Sequence, residues 1–147
     1  TFPEPLNIDP DKVEITESTK FSTLEETVQH VNLPVIYLKD SGDLKLSSIS
    51  ADVILDEKPV LSIIYCNSND NITILIYAHD STNAISSSFA TNYRIVSSNV
   101  GDVFVCESED GANAYLFYDD YSIRINTSLD LSTFCTVLQS LALFKLS

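Results

Sequence analysis

The chain has 147 residues, 44% of them hydrophobic, which excludes a wholly disordered polymer and suffices for one domain with a full core. With 21 acidic residues against 8 basic ones, its net charge of −13 excludes a nucleic-acid-binding role, because it repels phosphate backbones. No apolar run approaches the roughly 18 residues needed to span a bilayer.

Ile, Val, Tyr, Phe, Thr and Ser dominate over the strong helix formers, a composition that favours strands. Met is absent, so the expectation is a trimmed N-terminus, with any anchor or export signal upstream. Contact with a membrane would then run only through that anchor.

In chain order, residues 1–20 read as an acidic tether with three prolines, and residues 21–147 as a single α+β domain. Ser22-Thr23-Leu24-Glu25 reads as a capping box with Ser22 at the cap. The helix it opens carries Leu24, Val28 and Val31 on one face and ends before Pro34. Residues 34–43 are expected to form a loop ending in the turn Asp40-Ser41-Gly42-Asp43.

Residues 44–56 follow as one long bent strand or two short ones, and residues 56–59 as a turn. Residues 60–66 and 72–78 are strands around the turn 67–71, and residues 79–90 read as a Ser-, Thr- and Asn-rich loop. Four more strands follow within residues 91–126 at the short spacing of an antiparallel meander. The closing helix is expected to start at Asp130, with Leu131, Phe134, Leu138 and Leu141 on one stripe. The sum is an antiparallel sheet of about six or seven strands with one helix near each end of the domain.

Alternation assigns faces. Tyr121, Ile123 and Ile125 oppose Ser122, Arg124 and Asn126, which gives one wet face. Ile72, Ile74 and Ile76 oppose Leu75 and Tyr77, and Ala114, Leu116 and Tyr118 oppose Tyr115 and Phe117. Strands apolar on both faces need cover on both. Either one helix packs on each face or the sheet curls around its contents.

Little in the chain carries chemistry. Three glycines leave no phosphate-cradling loop and no G-x-S-x-G nucleophile elbow. A hydrolase would have to rest on His79 and Asp80 with Cys66 or Cys106 as nucleophile. His30 falls at a helix end, where a cation suits the dipole.

Cys66, Cys106 and Cys135 sit in apolar segments, as buried free cysteines do, and Cys66 and Cys106 could pair only if their strands are neighbours. Asn67, Asn69 and Asn71 start like a calcium loop, but Ile72 replaces the required Gly and Ala78 the required Glu. Glu107, Glu109, Asp110, Asp119 and Asp120 form an acidic group at hairpin ends, where solvated turn carboxylates are the ordinary case. No catalytic, cofactor or metal residue is assigned.

Aromatic residues cluster in the C-terminal meander. Packing is their usual role. The sharper expectation is a ligand or partner surface built from Tyr93, Tyr115, Phe117 and Tyr118 for a protein, peptide or apolar ligand.

The blocks STLEETVQHVNLPV, VLSIIYC, NITILIYA, YRIVSSNVGDVFVCE, AYLFYDDYSIRI and LDLSTFCTVLQSL resemble domain-of-unknown-function family 4367, over residues 21–144. The matches are strongest at Val100-Gly101-Asp102, at residues 115–125 and at residues 131–141. Phe117 stands where that family often has Trp, and Gly42 alone stands for a Pro-Gly pair. The resemblance implies an extracytoplasmic domain of Gram-positive cell-envelope proteins with an upstream transmembrane or anti-sigma-like region. It brings no catalytic residues. The expected function is therefore a non-enzymatic binding or regulatory module. The alternative is a carrier of an apolar ligand held between a curled sheet and the helices.

Overall fold

The computed structural model describes residues 15–54, 59–78 and 93–146. Its elements are β1 (Ile15–Phe21), α1 (Leu24–His30), β2 (Ile36–Leu38), β3 (Lys45–Ile54), β4 (Val60–Cys66) and β5 (Asn71–Ala78). Then follow β6 (Arg94–Ser98), β7 (Gly101–Ser108), β8 (Gly111–Tyr118), β9 (Tyr121–Thr127), α2 (Leu131–Leu138) and β10 (Leu141–Leu143). Eight strands form one antiparallel sheet in the order β1-β3-β4-β5-β9-β8-β7-β6, and β2 pairs with β10 in a small second sheet. The α+β class stands, with more strands than the six or seven expected.

Two meanders make the large sheet. The first runs β3-β4-β5. The chain then passes to the far edge, and the meander β6-β7-β8-β9 returns to lay β9 beside β5. At that seam Ile72 faces Thr127, Ile74 faces Ile125 and Ile76 faces Ile123. The turns of the second meander need special backbone. Gly111 has φ 150, and a Cβ there would collide with the Thr127 carbonyl oxygen, so no other residue fits. Asp119 adopts φ 51, a conformation Asp tolerates better than most.

One face of the sheet, the inner face, is buried along its length. Leu61, Ile63, Ile72, Ile74, Ile76, Val103, Val105, Ile123 and Ile125 lie there at 2% exposure or less. Three pieces cover it. α2 packs over β6, β7 and β8 through Phe134, Val137 and Leu138. The β2/β10 pair inserts Ile36, Leu38 and Leu141. α1 lies toward β1, with Leu24, Val28 and Val31 against the core and the His30 ring stacked on Phe21 at 6.0 Å. The two described helices thus share one face; of the two alternatives, a helix on each face is not what the described residues show.

Local expectations shift for physical reasons. The cap of α1 is Thr23, not Ser22: its hydroxyl accepts from the Glu26 N–H at 3.0 Å. Asp130 does precede α2, but its side chain makes no capping hydrogen bond. α2 covers the face of Ile123 and Ile125, as expected, yet lies over β6 to β8 rather than on β9. Leu141 belongs to β10 and not to that helix, because Ser140 ties the chain to β2. The Ser140 carbonyl accepts from Lys39 N–H, and its hydroxyl accepts from Asp40 N–H.

Residues 34–43 contain β2, and residues 15–20 of the expected tether are the edge strand β1. Residues 1–14, 79–90 and most of the 56–59 turn lie outside the described residues.

Tyr65 links the layers. Its hydroxyl accepts from the Leu38 N–H at 3.1 Å in a buried setting. Burial pushes this phenol above its ordinary 10.0; the Leu38 hydrogen bond opposes the rise and nearby Tyr37 adds to it. A raised folded value means that the stabilisation is complete below the unfolded value and is lost as pH climbs through the folded one. Tyr65→Phe strands the Leu38 N–H and is expected to cost about 1–3 kcal/mol at neutral pH. Urea melts of both proteins should show that gap narrowing above pH ~10, where the wild type alone must ionise a buried phenol.

Phe134 is fully buried beneath the sheet. Phe134→Ala is expected to cost about 3–5 kcal/mol in the same assay. A loss under about 1 kcal/mol would show that α2 is an appendage to the core rather than part of it.

Candidate functional site

The outer face of the sheet is the candidate site. Strand alternation and register set its rows. One row runs Ile95, Phe104, Tyr115, Arg124, Leu75, Ser62 from β6 across to β4. Beside it run Phe117, Ser122 and Tyr77 on one flank, and Asn113, Asn126 and Thr73 on the other. Neighbouring members of a row stand about 5 Å apart.

The centre of this face is thus a polar line down β9, Ser122-Arg124-Asn126, flanked by Tyr115 and Phe117 on β8 and by Leu75 and Tyr77 on β5. The Arg124 guanidinium lies over the Tyr115 ring at 5.6 Å, a cation–π contact that fixes both. Tyr93 meets Phe104 edge-on at 5.4 Å. Ile95 is 54% exposed, and Tyr93 and Phe117 are 36% exposed. Among the described residues neither helix nor the β2/β10 pair lies on this side, although Tyr77, Tyr115 and Ser122 at its centre are buried.

The four aromatics singled out in the sequence divide here. Tyr93, Tyr115 and Phe117 share the outer face. Tyr118 does not: it follows Leu116 on the inner face and packs against the core cluster. Sequence reasoning missed Phe104, Tyr77 and Arg124, whose membership depends on which strands are neighbours.

Three polar residues are buried in the described chain, and they differ in how they are satisfied. The Thr27 hydroxyl donates to the Thr23 carbonyl at 2.8 Å. The Thr127 hydroxyl donates to the Asn71 carbonyl at 2.8 Å and accepts from Leu129 N–H at 3.0 Å. The Ser122 hydroxyl, 4% exposed between Tyr77 and Phe117, has no partner among the described residues, and the buried Asn126 Oδ1 has none either. Unpaired polar atoms of this kind carry a desolvation cost that functional surfaces tolerate better than cores do.

Other sequence candidates do not assemble. Cys66 on β4 and Cys106 on β7 are separated by β5, β9 and β8. That places them on the order of 19 Å apart, far beyond disulfide reach. All three cysteines are free, and burial pushes the Cys106 thiol up, away from a reactive thiolate. Asn67 Oδ1 is used within its own hairpin turn, accepting from the N–H groups of Asn69 and Asp70.

The acidic turns separate too, since Glu109-Asp110 and Asp119-Asp120 sit at opposite ends of β8, on the order of 25 Å apart. Among the described residues no three His, Cys, Asp or Glu side chains gather as a metal site needs. His79 and Asp80 lie outside the described residues.

Ser122→Ala removes a buried hydroxyl that has no partner among the described residues. The expected outcome is unchanged or raised stability, by up to about 1 kcal/mol, read from thermal melts. A loss above about 1 kcal/mol would mean that a bound water satisfies the hydroxyl.

The chain matches no family model, no curated protein and no solved structure.

Proposed function

We propose that this protein is a non-enzymatic binding or regulatory module whose ligand surface is the outer face of the large sheet. The observation that carries this reading is the asymmetry of the two faces. Among the described residues both helices and the small sheet cover one side, while the other presents the part-exposed Ile95, Tyr93 and Phe117 around a polar line. Exposed aromatic and aliphatic groups on a rigid sheet, with a few fixed polar atoms, are the usual makings of a recognition surface.

The non-enzymatic part rests on the sequence, which holds neither a nucleophile elbow nor a phosphate loop. The extracytoplasmic, membrane-anchored setting rests on the resemblance of residues 21–144 to family 4367. Among the described residues no helix is long and apolar enough to cross a membrane.

An apolar ligand between sheet and helices is less well supported. Phe134, Leu138, Ile36 and Leu141 fill that space at 0% exposure. An apolar ligand would have to use the outer face instead.

Thermal-shift screening against oligosaccharides, peptides and lipid micelles tests the surface. At least one class should raise the melting temperature of the wild type and not that of a Tyr93→Ser/Phe117→Ser double variant. Equal shifts in both proteins, or none with any class, would place the ligand surface elsewhere.

A further inference from the structure

The groove beside β1 carries an inference independent of the aromatic face. β1 is an edge strand: β3 pairs with one side of it, and among the described residues nothing pairs with the other. Its inner-face residues Glu17, Thr19 and Phe21 form one wall of an open groove of about 530 Å³. β3 gives the floor through Ala51 and Val53, and α1 with its C-cap gives the other wall through Glu26, His30 and Val31. The lining is mostly apolar, and its carboxylates, Glu17 and Glu26, stand on opposite walls.

We infer that β1 and this groove form a docking site for an extended basic peptide segment, added as a further strand to the sheet. Three properties commit the site to that partner. An unpaired strand edge offers backbone N–H and C=O groups to any extended chain. In such a chain alternate side chains fall on the inner face, where the groove is. Lysine suits that space, since its aliphatic stem can lie on Thr19 and Phe21 while its ammonium meets Glu17 or Glu26.

The net charge of −13 steers cationic segments toward the protein in general, and the groove supplies the place. Lys20 points to the opposite face, beside Ser50, so the intervening positions of the peptide should be neutral. The other edge strand, β6, begins with the exposed cation Arg94 and fits a basic partner less well.

The probe is a short fluorescent peptide of alternating Lys and Thr, followed by anisotropy with the full chain. Binding should weaken by at least about tenfold in a Glu17→Lys/Glu26→Lys variant and remain in a Glu109→Lys/Asp119→Lys control of equal charge change. Backbone N-methylation of the peptide should abolish binding, and amide exchange should slow in β1. A Tyr93→Ser/Phe117→Ser variant should bind as the wild type does, which separates this site from the aromatic face. Equal weakening in both charge variants would reduce the effect to long-range attraction and overturn the site. So would full binding of the methylated peptide, slowed exchange in β6 instead of β1, or no binding at all. Circular dichroism melts establish that each variant is folded.

Discussion

The pairing of β5 with β9 is the constraint on which the rest depends. It joins two meanders that are far apart in sequence, and it makes the most apolar strands central. Ile72, Ile74 and Ile76 meet Thr127, Ile125 and Ile123 across it, and five of these six are isoleucines at 1% exposure or less. Such burial is worth about 1.5–3 kcal/mol for each large aliphatic side chain. Without the seam, β5 would expose an edge apolar on both faces and β9 an edge apolar on its inner face, a direct route to aggregation.

The seam also forces a choice of faces. A strand apolar on both sides needs cover on both, and among the described residues the covering pieces are two short helices and the β2/β10 pair. All three go to the inner face. Tyr65 holds that arrangement together by accepting a buried hydrogen bond from Leu38 of β2, and Ser140 by exposed hydrogen bonds to Asp40 just beyond it. The outer face carries aromatic rings, a guanidinium and polar atoms, with Tyr77, Tyr115 and Ser122 buried at its centre, and the Ser122 hydroxyl is without a described partner. A core strand would not normally carry Ser122, Arg124 and Asn126 in succession on one side, so this side of β9 is where selection for packing alone is weakest.

Much of the secondary structure was legible. Val60 to Cys66 and the four strands of the second meander carry the period of two, with turn residues at the Gly101, Gly111 and Asp119 positions. The misses have definite causes. β1 reads ITESTKF, an edge strand whose described side chains are mostly exposed, so it carries no apolar signal. β10 was absorbed into the closing helix because Leu131, Phe134, Leu138 and Leu141 continue helical spacing, although the helix ends at Leu138. The cap moved from Ser22 to Thr23 because two competent hydroxyls stand side by side, and only the backbone geometry decides between them.

By itself the sequence determined the strand-rich class, the two helices, the acidic surface and which side chains of a given strand share a face. Those properties are local: they follow from composition and from periods of two and 3.6 residues. Only the tertiary structure decided that β9 lies beside β5, that both helices share one face, and that Tyr115, Phe104 and Arg124 form one row while Tyr118 turns away. Alternation tells a residue its side relative to its chain neighbours but not which strand comes next. That order is set by burying both meanders in one continuous core, a gain that exists only when the whole sheet is assembled.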